Sequence, residues 1–331
     1  MKRPILVIVL LFILIAAAAA VLIISNSAVP GTVRIRPIDE IEVIDGSSYA
    51  HYFTEAAGFT WHHVELGTGQ PIVFLHGIPG AWFSWHRVMA VLSPDYRTIA
   101  VDLKGLGLSD QPEGSYSAEI VANELIALMD ELEIDRFTLV SHEWGSIVAS
   151  YVAGRFPDRV THFVRVQTPV SDAAIGQIQS LLTLPQIGSV VLSDGDGFVR
   201  RMYTGASSSF FMSNVPGPVT VQPIGEADIA RLSREFSYDG IAAAILKYYQ
   251  DTPPDYRVTL AALAATTTMP VLLLQADADP LQPISFYDQS AAPFPNAIFA
   301  VFPNSGHAPM LEQPAALAEA IRAFVERQPS D

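Results

Sequence analysis

The sequence predicts an α/β domain built on a doubly wound, mostly parallel sheet, with a helical cap inserted late and one apolar segment at the N-terminus. Three observations lead there. Apolar runs of strand length recur at Pro71-Ile72-Val73-Phe74-Leu75 and at residues 97–101, 137–140, 163–166, 271–274 and 298–302. Unbroken runs of this kind suit strands covered on both faces, as in parallel sheets. Helical stretches separate several of them; in residues 118–132, Val121, Leu125, Leu128, Met129 and Leu132 share one face. Strands alternating with helices give a parallel sheet. The alternation stops between residues 169 and 258, where helical pieces, a Gly/Ser-rich bend at 205–209 and a Pro-rich patch at 216–223 stand instead. That stretch is expected to cover the C-terminal edge of the sheet, where the ligand crevices of such folds lie.

Length and composition narrow the possibilities. The 331 residues suffice for one large α/β domain or two modest ones. A formal net charge of −15 without a basic cluster speaks against a nucleic-acid partner. The chain has no cysteine, which excludes disulfides and thiolate chemistry. No CxxC, HExxH or glycine-rich phosphate loop is present, so neither metal nor other cofactor is expected.

Taken in order, Lys2 and Arg3 lead into an uncharged run at residues 4–24. As a helix it would reach roughly 30 Å, enough for a bilayer core. The run exceeds the usual core of a signal peptide and is read as a single transmembrane anchor. Cleavage near Ser25, Ser27 and Ala28, followed by secretion, is the competing reading. The basic N-terminus places the bulk of the chain outside the cytoplasm, an inference opposed by Arg34 and Arg36 beyond the run. Residues 25–48, with Pro30, Gly31 and Pro37, read as a tether. The globular part then divides into core (49–168), cap (169–258) and core again (259–331). An early strand is expected at 59–65 and a turn at 67–70; no internal repeat is visible.

The chemistry concentrates at Ser141-His142-Glu143-Trp144-Gly145, between the strand at 137–140 and a helical stretch at 146–153. Strand, sharp turn and helix with small flanking residues describe a nucleophile elbow, whose central side chain stands exposed on a strained backbone. The centre here is a carboxylate, Glu143. Ser141 and Ser146 flank the tip without occupying it, which disfavours a serine esterase. Three further stretches follow apolar strands: His76-Gly77-Ile78-Pro79-Gly80, Asp279-Pro280 and Ser305-Gly306-His307. A Gly/Pro turn at the first can aim a main-chain N–H into the crevice. Nucleophile, acid, base is also the chain order of one large group of hydrolases.

These segments resemble the epoxide hydrolase and haloalkane dehalogenase-like group of the α/β-hydrolase superfamily. Residues 76–85 look like the HGxP segment, and Asp102-Leu103-Lys104-Gly105-Leu106-Gly107-Leu108-Ser109-Asp110 matches D-x-x-G-x-G-x-S-D. The similarity runs from about residue 59 to 325. It implies an α/β-hydrolase fold and a catalytic set of Glu143, Asp279 and His307. The elbow carboxylate attacks an epoxide carbon, cap tyrosines hydrogen-bond the departing oxygen, and His307, oriented by Asp279, activates water against the resulting ester. Main-chain N–H groups of Ile78 and Trp144 would form the oxyanion hole. Tyr249 sits where the group has its second cap tyrosine, and Tyr203 is the candidate for the first. The group's nucleophile is Asp, so Glu143 departs from it by one methylene, about 1.5 Å of reach. Asp277 competes with Asp279 for the acid, the family spacing pointing to Asp279. Gln167 and Thr168 occupy the place where some dehalogenases carry the acid.

Dehalogenation is disfavoured by Ile78 in the HGxP slot and by the placement of Trp61, Trp82, Trp85 and Trp144 outside the cap, which offers Tyr203, Tyr238, Tyr248, Tyr249 and Tyr256 instead. A lipophilic epoxide is the substrate class implied. A dehalogenase-like or other ester hydrolase, or a non-catalytic ligand-binding homologue, is the alternative.

Overall fold

In the computed structural model, residues 40–167, 194–205, 217–253, 255–284 and 293–327 are described. The expected anchor at 1–24, most of the tether, Thr168 and part of the cap lie outside them. Among the described residues no helix is long and apolar enough to cross a membrane.

Nine strands form one sheet in the order β1-β2-β3-β5-β4-β6-β7-β8-β9. The first three, β1 (Ile41–Ile44), β2 (Ser47–Ala56) and β3 (Phe59–Leu66), are antiparallel neighbours, and β3 meets β5 antiparallel. From β4 (Gln70–Leu75) and β5 (Tyr96–Val101) onward every pairing is parallel, through β6 (Phe137–His142), β7 (Val160–Val166), β8 (Val271–Ala276) and β9 (Ala297–Phe302). The apolar runs become the parallel strands because helices cover both faces: β6 and β8 are buried along their whole length. β9 departs from that expectation. It is the edge strand, and Phe299 and Val301 on it are exposed.

The chain enters the sheet earlier than the sequence suggested. β1 and the start of β2 fall inside the stretch expected as tether. Asp45-Gly46 between them takes positive φ at both residues (51° and 83°) and closes a two-residue hairpin. Such a pair is a strong hairpin signal, here overshadowed by the prolines before it.

Helices α1 (His86–Leu92), α2 (Ala118–Glu131) and α3 (Trp144–Arg155) alternate with the strands. Nearly all of α3 is buried, as suits the central helix that starts at the elbow. Between β7 and β8 the described residues form α4 (Gly195–Thr204), α5 (Glu226–Phe236), α6 (Ile241–Asp251) and α7 (Tyr256–Ala265). A helical insert is therefore present. The boundary expected at 258/259 falls within α7, whose Leu263 packs against Gly154 of α3. Helices α8 (Pro309–Glu312) and α9 (Pro314–Val325) close the described chain.

Cap helix α5 is docked through charge. Arg231 donates to Glu42 of β1 at 2.6 and 3.1 Å and lies over the rings of Trp82 and Phe83. Arg87 of α1 pairs with the buried Asp228. The guanidinium and the neighbouring His51 hold Glu42 down at about 2, with the His51 hydrogen bond the largest influence.

Candidate active site

Register places the functional segments on one edge of the sheet. Leu75 pairs with Ser141, His142 with Val166, and Ala276 with Phe302. The residues that follow β4, β6, β7, β8 and β9 consequently converge.

The D-x-x-G-x-G-x-S-D segment is the scaffold beneath the HGxP turn. Asp102 is fully buried, and its carboxylate accepts from Trp82 N (2.7 Å), Leu108 N (2.8 Å) and His62 Nδ1 (2.7 Å). Ser109 donates to the carbonyl of Asp102 at 2.6 Å and accepts from His62 N at 2.9 Å. Leu103 N donates to His76 Nε2 (3.1 Å), so the other ring nitrogen, as Nδ1–H, donates to Gly77 O (2.9 Å). Burial pushes His76 below its usual pKa, keeping the ring neutral and the HGxP turn pinned to this loop.

Glu143 sits at φ 47°, ψ −118°, a positive-φ conformation costly for a non-glycine residue. Its side chain curls back so that Oε2 accepts from Trp144 N at 2.6 Å and from Ile78 N at 2.9 Å. Gly77 leaves room beside the elbow. A Cβ there would lie 2.6 Å from Glu143 Cβ and 2.8 Å from His142 Nδ1. Close approach likewise requires Gly145, where a Cβ would meet the carbonyl oxygens of Leu75 and His76 at 2.6 Å. Gly77→Ala is therefore expected to displace the Glu143 carboxylate, cost about 1–3 kcal/mol of stability as overpacked sites do, and lower turnover more than tenfold; thermal unfolding and steady-state rates check both.

Burial is the main influence on Glu143 and pushes its carboxyl up to about 7, against the lowering effects of the Ile78 and Trp144 N–H groups and of His307. His307 Nδ1 donates to Asp279 Oδ2 at 2.8 Å. Burial alone would favour its neutral form, but the charge and hydrogen bond of Asp279, with Glu143 and Glu312 beyond, leave it above the ordinary value. Asp279 is buried and its Oδ1 accepts from Leu281 N (2.8 Å) and Gln282 N (3.1 Å). Asp277 is exposed and its carboxylate faces Ser305 N at 3.4 Å. Of the two candidates, the structure brings Asp279 to the histidine.

Tyr203 of α4 and Tyr249 of α6 are both buried on the cap side. Burial raises both phenols well above their usual range and the charge of Glu143 adds to it, so both stay protonated donors near that carboxylate. Tyr203 OH donates to Pro79 O at 3.1 Å, and the Tyr249 ring stands 4.9 Å from that of Trp144. Tyr248 is turned elsewhere, its hydroxyl donating to Lys104 O at 3.0 Å. Ser141 and Ser146 are fully buried, Ser146 Oγ donating to Ser141 Oγ (2.9 Å) and that hydroxyl to Val164 O (3.3 Å).

Three supporting residues had drawn no role from sequence. Gln167, fully buried at φ 54°, donates from Nε2 to Asp279 Oδ2 (3.0 Å) and Gly306 O (2.9 Å) and accepts from Ala276 N (2.7 Å). The position that carries the acid in some dehalogenases thus holds the acid in place here. His142 donates from Nε2 to His307 O at 2.8 Å, with burial pushing its ring well below the usual value. Glu312 accepts from the main chain on both sides of His307. A polar residue directly after a buried strand was the available signal for Gln167. Among the described residues no cluster of three or more His, Asp or Glu is arranged to hold a metal.

Residues 70–314 match the family model of the alpha/beta hydrolase fold. Epoxide hydrolase 2 of Siraitia grosvenorii is 33% identical over 189 residues, 56% of this chain and 54% of that protein. The chain spans about half the length of the first curated relatives it matches. Among solved structures, epoxide hydrolase A from Mycobacterium thermoresistibile superposes with a TM-score of 0.72 at 22% identity, covering 83% of this chain and 98% of that one. A haloalkane dehalogenase variant from Bradyrhizobium elkanii reaches 0.68 at 22% identity, covering 84% and 96%. With three quarters of its length inside the family match and the strand order above, the chain belongs to the α/β-hydrolase fold family.

Proposed function

We propose that this protein is an epoxide hydrolase that works through an ester on Glu143. The observation that carries the reading is the seat of Oε2 between the N–H groups of Ile78 and Trp144. With Oε2 held there, Oε1 attacks an epoxide carbon, the C–O bond breaks, and the alkoxide takes a proton from Tyr203 or Tyr249. Water then adds to the ester carbonyl while His307 takes its proton, the oxyanion being held by the same two N–H groups. The acyl–oxygen bond breaks, the leaving oxygen takes the proton from His307 and a vicinal diol departs; one oxygen of water stays in the Glu143 carboxyl, whose proton returns to the tyrosinate. Epoxides are favoured over alkyl halides because the cap supplies phenol donors for an alkoxide, and Ile78 offers no side-chain donor to a halide. Serine-type ester hydrolysis is disfavoured by the buried Ser141–Ser146 pair.

The test is incubation with terminal and internal epoxides, following diol release together with intact protein mass. Diol with little adduct supports the proposal; neither diol nor adduct across the panel sinks it. The pH profile adds a second check. The attack needs ionised Glu143, raised to about 7, and the water step needs neutral His307, also raised. Both protons must be lost, so kcat is expected to rise with pH through about 7 and to show no falling limb from the tyrosines below about pH 9. A profile that falls across that range would contradict it.

The uncharged run at residues 4–24 supports a further part of the proposal, that the chain is membrane-anchored with its catalytic part on the extracytoplasmic side. Resistance of the full chain to alkaline extraction from membranes, lost when it begins at Thr32, would support anchoring; release of both would contradict it.

A further inference from the structure

Glu312 ends the short helix α8, five residues after His307, and its side chain turns back on the loop before it. Oε1 and Oε2 each lie 3.0 Å from Gly306 N, and Oε1 lies 3.2 Å from Ala308 N. Oε2 also accepts from Val221 N at 2.7 Å and from Gln222 N at 2.9 Å. Two of these four N–H groups flank His307; the other two belong to the segment returning from the cap. That segment is itself bound in both directions. His307 N donates to Val219 O at 2.7 Å, Val219 N donates to Met202 O at 2.7 Å, and Thr220 Oγ1 donates to Tyr203 O at 3.0 Å. One carboxylate therefore joins the loop of the candidate base to the helix of a candidate acid. A carboxylate suits this junction because its two oxygens accept in about four directions, whereas an amide offers one oxygen and turns N–H groups toward donors.

The charge matters as well as the shape. The ionisable groups facing His307 are Asp279 from the loop after β8, Glu143 from the elbow, Glu312 from α8 and the neutral His142 from β6, its ring 5.1 Å away. During the water step Glu143 is an ester and has lost its charge. Asp279 and Glu312 are then the negative groups left to stabilise the imidazolium that forms.

We propose that Glu312 is a positioning residue for the hydrolytic half of the reaction, holding His307 and Tyr203 in one geometry and supplying the second negative charge that the protonated histidine needs. The proposal rests on the epoxide hydrolase reading for the step it serves. Glu312→Gln is expected to lower kcat by about 10- to 100-fold, the scale of an ångström-sized misplacement, with ester accumulating on Glu143. It is also expected to shift the His307 titration, followed by NMR of the ring, to lower pH. Glu312→Asp keeps the charge but not the reach to Val221 and Gln222, so turnover should fall while the titration moves less. The NMR titration needs no substrate, so it decides the matter even if no epoxide is turned over, an outcome that would sink the functional reading alone. An unshifted His307 in Glu312→Gln, or wild-type turnover without ester accumulation in both variants, overturns the proposal whatever the change in thermal stability.

Discussion

A Glu143→Gln protein is expected to form no adduct with an epoxide and to release diol at least about 10⁴-fold more slowly, the scale on which loss of a covalent nucleophile costs other hydrolases. The amide retains an oxygen that can accept from Ile78 N and Trp144 N, so the pocket should keep its shape while losing the charge that attacks carbon. The same substitution should stabilise the fold. The folded protein holds the Glu143 proton up to about 7, against 4.5 for the ordinary group. The neutral form is thus the comfortable one; its contribution to stability is present below the unfolded pKa and is lost as pH rises through the folded one. Glutamine mimics that neutral form. The variant should melt a few degrees above wild type near pH 8 and nearly with it near pH 5, since about 1 kcal/mol moves the midpoint of a chain of this size by roughly 2–4 °C. Thermal melts at the two pH values, beside intact mass after epoxide exposure, test both claims. A variant that still alkylates would remove Glu143 from the mechanism.

His307→Gln should separate the two halves of the reaction. Attack by Glu143 does not need the imidazole, so one equivalent of ester is expected on the protein. The water step does need it, and diol release should fall by about 10²- to 10⁴-fold, the usual contribution of a positioned general base. Mass spectrometry after a short incubation would show wild type largely unmodified and the variant close to fully adducted. Equal adduct levels in the two proteins, or undiminished diol release, would argue that water is activated elsewhere.

The legible parts of the chain were those in which one local pattern dictates one outcome. Strand β6 could be read from Phe137-Thr138-Leu139-Val140 because burial on both faces demands an unbroken apolar run, and the elbow followed from the small residues around Glu143. The grouping of Glu143, Asp279 and His307 followed from knowing that parallel strands end on a common edge. Less legible was whatever depends on partners far along the chain. Gln167 meets the side chain of Asp279 across 112 positions, and Glu312 meets the main-chain N–H of Val221, which carries no residue identity, across 91. The room beside the elbow was equally hidden, because it depends on the missing Cβ of Gly77 opposite Glu143 and His142. Strand β1 escaped notice for a different reason: four alternating residues beside prolines carry little signal until a partner strand is known.

That first strand also makes the cap answerable to tension. Hydrogen bonding along β1 is to β2, and its Glu42 grips Arg231 on helix α5 of the insert. A pull on the chain ahead of Ile41 would peel a four-residue edge strand before it strained the rest of the sheet, and the load would pass through that ion pair into helix α5. Drag from a pulling probe on the chain before Ile41 would thus be felt by the helical insert sooner than by the parallel strands that carry Glu143 and His307.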